Sequence, residues 1–191
     1  MEKENKLIQH LMNTKDDVID IIDFNETKLK RKIELTSLII SLPIVLFFGT
    51  VLKLNGFSSL FMLIIVALLI IPGLILHEGL HYLFMWYFSK EKPHLGYKFP
   101  FPYCALSPTS SITRNQAVLV ALAPALILTP ILVIPGLLAP LLFKILLLAW
   151  ASIELATCYG DFYLTYQLFK NPSDCLLKNV NNSNVLFKPN S

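Results

Sequence analysis

The sequence predicts an all-α membrane protein with about four transmembrane helices, an N-terminal cytoplasmic amphipathic helix and a short extended segment in the loop between helices two and three. Three observations lead there. The 191 residues are 54% hydrophobic, and their mean hydropathy of +0.60 lies well above that of ordinary soluble domains. Apolar runs cover residues 35–52, 57–88, 117–143 and 145–169, and about 20 residues of helix cross the hydrocarbon core. Basic residues crowd every second connection. Lys3, Lys6, Lys15, Lys28, Lys30, Arg31 and Lys32 precede the first run, and Lys53 alone follows it. Lys90, Lys92, Lys98 and Arg114 separate the second and third, Lys144 alone the third and fourth, and Lys170, Lys178 and Lys188 come last. That alternation predicts a multi-pass cell-membrane protein with both termini and the middle loop cytoplasmic.

Three segments follow: 1–33 as the cytoplasmic helix, 34–170 as the transmembrane domain and 171–191 as a short flexible tail. In the first, Leu7, Ile8, Leu11, Met12, Val18, Ile19 and Ile22 recur at near-helical spacing among charges. This N-terminus is polar and mixed in charge, so no removable signal peptide is expected. Between spans two and three, Pro93, Pro100, Pro102 and Pro108 break helix while Tyr97, Phe99, Phe101 and Tyr103 alternate at a period of two. That stretch is expected to be extended, either as an edge strand or hairpin able to pair with a substrate strand or as an aromatic anchor at the interface. Pro124, Pro130 and Pro135 with Ala121, Ala123 and Ala125 make the third span one of kinks and close packing, a helix that packs rather than catalyses. The tail after Asn171 is rich in Asn and Ser. Cys104, Cys158 and Cys175 are odd in number and lack paired spacing, which argues against a disulfide framework and a thiolate zinc site.

Against this apolar background His77-Glu78-Gly79-Leu80-His81 stands out. An ionisable group at membrane depth costs roughly 2.5–3.5 kcal/mol on insertion scales, so three within a turn and a half need a compensating partner. Two imidazoles four residues apart share a helix face and can grip one divalent ion, leaving Glu78 free as a base. Glu154 and Asp161, both in the fourth span, are the other carboxylates within the apolar runs. Counting from Phe57, His77 lies 20 residues into span two, and counting from Leu141, Asp161 lies 20 into span four. At 1.5 Å per residue both sit roughly 30 Å along inward-running helices, while Glu154 would be roughly 10 Å deeper and is the weaker candidate for a third ligand. Pro72 is expected to kink span two and admit water. His10 reads as a solvated side chain and His94 as an ordinary surface histidine.

The five-residue motif, the Ala121-Leu122-Ala123-Pro124-Ala125 stretch and Gly160-Asp161 in the last span together resemble a family of small bacterial membrane proteins described as zincin peptidases and catalogued as a domain of unknown function. The family is similar in layout to the site-2 proteases, which are intramembrane zinc metalloproteases. The resemblance covers roughly residues 70–180 and makes 34–170 a metallopeptidase-like domain. It implies Zn²⁺ as cofactor, His77, His81 and Asp161 as metal ligands and Glu78 as the catalytic base. Site-2 proteases carry their ligand Asp before a Gly, whereas here Gly160 precedes Asp161 and Phe162 follows.

The expected activity is peptide-bond hydrolysis at the membrane by a zinc-activated water with Glu78 as general base. Its partners would be the lipid bilayer and a peptide or membrane-protein substrate, with no nucleic acid. Two alternatives come from other classes: a divalent-metal transporter or sensor, and a catalytically silent zinc-binding membrane scaffold. A transporter would normally carry ligands through the full membrane thickness, yet spans one and three hold no His, Asp or Glu in their apolar cores.

Overall fold

In a computed structural model, residues 17–22, 27–54, 56, 59–98, 101–180 and 183–188 are described. The chain runs β1 (Asp17–Ile22), α1 (Thr27–Leu54), α2 (Ser59–Ser89), β2 (His94–Lys98), β3 (Phe101–Ala105) and β4 (Ser111–Thr113). It continues through α3 (Arg114–Leu138), α4 (Leu141–Thr157), α5 (Tyr159–Phe169), β5 (Leu176–Val180) and β6 (Ser183–Lys188). Helix dominates, and α3 is the helix around which α2, α4 and α5 pack.

Local chemistry marks the ends. Lys90, at φ 60, takes the left-handed conformation that closes α2, its amide bonding the Trp86 carbonyl at 3.0 Å. A capping box opens α3: the Thr113 hydroxyl accepts from the Gln116 amide while the Gln116 side chain accepts from the Thr113 amide. Pro140 caps α4, where its fixed φ costs nothing and its missing N–H is not needed.

The all-α expectation is corrected. Among the described residues six strands form a four-stranded antiparallel sheet in the order β1-β6-β5-β4 and a separate β2-β3 hairpin. Residues 171–191, expected as a flexible tail, supply β5 and β6, with Cys175, Val185 and Leu186 wholly buried. Leu177 and Leu186 join Ile22, Ile112, Val118 and Leu168 in one apolar cluster between this sheet and the helices. Burying those side chains is what holds an Asn- and Ser-rich segment in place. The N-terminal helix is corrected in part: Val18, Ile19 and Ile22 belong to β1, whereas Leu7, Ile8, Leu11 and Met12 lie outside the described residues. The extended loop segment is a hairpin, in which Gly96 leaves room for the ring of Tyr103 directly across the pair.

The fourth span is not one helix. It breaks at Cys158, and α4 and α5 meet at a bend of 42°. The Thr157 hydroxyl bonds the Glu154 carbonyl at 2.7 Å, competing with the helical amide of Cys158, which reaches the same oxygen at 3.1 Å. Of the four crossings expected, Arg114–Leu138 is by itself long and apolar enough, α4 and α5 qualify as a bent pair, and Leu35–Val51 is a shorter apolar stretch within α1.

Because β1 precedes α1, β4 precedes α3 and β5 follows α5, the large sheet covers one end of the helix bundle. His81 lies eight residues before the end of α2, Val120 six after the start of α3 and Asp161 eight before the end of α5. At 1.5 Å per residue all three stand about 9–12 Å inside that end.

Candidate metal centre

Residues four apart share a helix face, so α2 presents His77 and His81 together, and both are buried. Across from them α5 presents Asp161. His77 Nε2 is 3.1 Å from His81 Nε2, and the two carboxylate oxygens of Asp161 lie 3.2 Å from His77 Nε2 and 3.3 Å from His81 Nε2.

The far edge of each ring decides what these near edges are. His77 Nδ1 is 2.7 Å from Glu154 Oε1, and His81 Nδ1 is 2.9 Å from the Val120 carbonyl. A carboxylate and a carbonyl only accept, so each neutral imidazole carries its proton on Nδ1 and a bare lone pair on Nε2. In that form two lone pairs and the Asp161 carboxylate face one another, an arrangement that a proton or a metal ion among them relieves.

The donor spacing suits a metal. Zinc bonds of about 2.0–2.2 Å in tetrahedral geometry separate donors by about 3.3–3.6 Å, and here the two Nε2 atoms are 3.1 Å apart, with one Asp161 oxygen 3.2 Å from the first and the other 3.3 Å from the second. Cys158 Sγ lies 3.9 Å from His77 Nδ1, on the Glu154 edge of the ring. His77, Cys158 and Asp161 also offer donor atoms within 4.8 Å of one another, a looser set than the two Nε2 atoms and the Asp161 carboxylate.

Val120 is available for a definite reason. Its carbonyl would normally accept from the amide four residues on, but residue 124 is proline and has no N–H. His81 fills the gap. The third helix therefore does more than pack, and a signal for this was present, since every Pro inside a helix frees the carbonyl four residues earlier.

Glu154 departs from the depth count. It was expected about 10 Å deeper than His77 on a straight helix, yet it touches the same ring as Asp161 from the other side. The bend at Cys158 turns α5 relative to α4, so carboxylates seven residues apart bracket one imidazole.

Glu78 stays outside the cluster of donors. Its carboxylate faces the backbone N–H of Cys104 in β3, which brings the hairpin against the motif. Cys104 also reaches Met85 Sδ at 3.8 Å. His94 is exposed on β2 and outside the cluster, and His10 lies outside the described residues. Cys175 is in the sheet core.

A family model described as "Putative zincin peptidase" matches residues 68–176, from within α2 to the start of β5. The chain belongs to that family. No curated protein and no solved structure matches it. The zincin match spans the His77–His81 turn, the hairpin, the proline at 124 and the Glu154–Asp161 stretch, so every side chain of the site lies within it, while β1, α1, the start of α2, all of β5 but Leu176, and β6 lie outside.

One contact of this zincin site can be checked without substrate. Burial, and then the neighbouring Glu78 carboxylate, push the Cys104 thiol up to about 12. A nearby anion disfavours the thiolate, so removing it must lower that value. Alkylation of Cys104 by iodoacetamide at pH 8, followed by mass spectrometry of its peptide, is expected to be faster in Glu78→Gln than in wild type. A slower or equal rate would mean that Glu78 does not face β3.

Proposed function

We propose that this zincin-family chain is a membrane-embedded zinc metallopeptidase, with His77, His81 and Asp161 holding the metal and Glu78 as general base. The observation that carries the proposal is the convergence of two imidazole lone pairs and one carboxylate, with a second carboxylate, Glu78, beside them but not among them. Bound zinc supplies a Lewis acid that polarises a carbonyl and brings the acidity of water near neutrality.

The chain's own groups do the rest. Glu78 takes a proton from the attacking water and returns it to the leaving amide nitrogen, so the base is regenerated and no acyl-enzyme is needed. The Cys104 amide faces the Glu78 carboxylate from the hairpin. A substrate lying extended along β3 would therefore present its amide between Glu78 and the metal ligands.

Membrane embedding is supported by the outward faces of the helices. Leu38, Ile39, Leu46 and Phe47 on α1, Leu68, Ile71 and Ile75 on α2, and Leu126, Ile131, Ile134 and Leu138 on α3 are all exposed. Contiguous apolar surface of that extent marks contact with lipid or partners. With the basic connections described above it supports a reading of four crossings with the sheet end cytoplasmic.

The test is cleavage of an unstructured peptide by the purified full-length protein in detergent with zinc. Hydrolysis is expected, to be lost on chelation and restored by zinc. Zinc flux into proteoliposomes with the peptide left intact would overturn the proposal in favour of transport, and zinc binding with neither activity would leave a structural role.

A further inference from the structure

Behind the three donors stands a second ring of groups. Resting on the metal-site reading above, we infer that Glu154 and Pro124 are positioning residues that set how tightly His77 and His81 hold a divalent ion. Glu154 is 3% exposed on an apolar helix, and its Oε1 is spent on His77 Nδ1 rather than turned toward the Nε2 side. Such a burial is costly and persists only when the carboxylate is paired.

The pairing is built into both helices. A Cβ on Gly73 would lie 2.8 Å from Trp150 Nε1 and 3.8 Å from Glu154 Oε2. Gly73 stands one turn before His77 on α2, and Trp150 one turn before Glu154 on α4. The absent side chain at 73 thus lets α4 approach α2 closely enough for Glu154 to reach the ring. His81 is served differently, because Pro124, itself fully buried, withholds an amide and leaves the Val120 carbonyl to accept Nδ1–H.

Both devices fix the same tautomer and stop the rings turning, and the Glu154 charge also raises electron density at His77 Nε2. Neither group touches the metal or a substrate. Loss of such an outer partner typically weakens metal affinity by roughly 10–100-fold.

The experiment uses the full chain in detergent, stripped of metal and titrated with Zn²⁺ against a chromophoric chelator, with His77→Ala as the reference lacking the site. Glu154→Gln keeps the shape but replaces the acceptor-only carboxylate. It is expected to bind a single equivalent roughly 10–100-fold more weakly than wild type. Pro124→Ala returns an N–H that competes with His81 for Val120. It is expected to weaken zinc in the same direction without lowering the melting temperature of the metal-free protein, a combination that a merely structural proline would not give. If both variants bind as wild type does, the inference is overturned. If Glu154→Gln loses zinc as completely as His77→Ala, Glu154 is a ligand and the positioning role is wrong. A flat wild-type titration would instead overturn the metal site itself, and the inference with it.

Discussion

Glu78→Gln is expected to lower peptide hydrolysis by about 10²–10⁴-fold, the contribution of a positioned general base, while zinc content stays at the wild-type level. The substitution is isosteric, and an amide oxygen at this position can still accept the Cys104 N–H that faces the native carboxylate. What disappears is the ability to take a proton from water at neutral pH. Because Glu78 lies outside the trio of His77, His81 and Asp161, the metal should not notice. Turnover of a fluorogenic peptide and metal analysis on the same preparation check both halves, and retained hydrolysis would remove Glu78 from the mechanism.

His77→Ala and Asp161→Ala should each lose bound zinc, by more than the roughly 10–100-fold that outer-shell partners cost. Removing His77 deletes a donor that faces both others and also strands the buried Glu154 carboxylate. Removing Asp161 leaves two lone pairs 3.1 Å apart with no carboxylate facing both of them. Metal analysis of the purified variants beside wild type measures this directly. Full occupancy in Asp161→Ala would exclude it as the third ligand and direct attention to Glu154 and Cys158, whose side chains also reach His77.

The motif was legible because its chemistry is local. Two histidines one turn apart must share a face whatever surrounds them, and ionisable groups inside apolar runs demand a partner. Asp161 was reachable by counting residues along two helices, which works when both are regular up to the point counted. Glu154 shows where counting stops working: the break at Cys158 depends on a Thr157 side-chain bond and on packing, and a few degrees of bend decide which carboxylate meets which nitrogen. The sheet was missed for a different reason. β1 and β6 pair Asp17 with Lys188, and β4 and β5 pair Ser111 with Lys178, so each short strand is stabilised by a partner far along the chain. Val185-Leu186-Phe187 in an Asn- and Ser-rich tail carries no periodic signal long enough to reveal it.

By itself the sequence determined the apolar helices, the paired imidazoles with an acidic residue between them, and the candidate third ligand, since all of these follow from spacing along single helices. Tertiary structure alone decided that Val120 and Glu154 face the outer nitrogens, that Cys104 meets Glu78, and that β1, β4, β5 and β6 pair as one sheet. Those facts depend on how closely separate elements approach, and side-chain packing sets that distance where residue order does not.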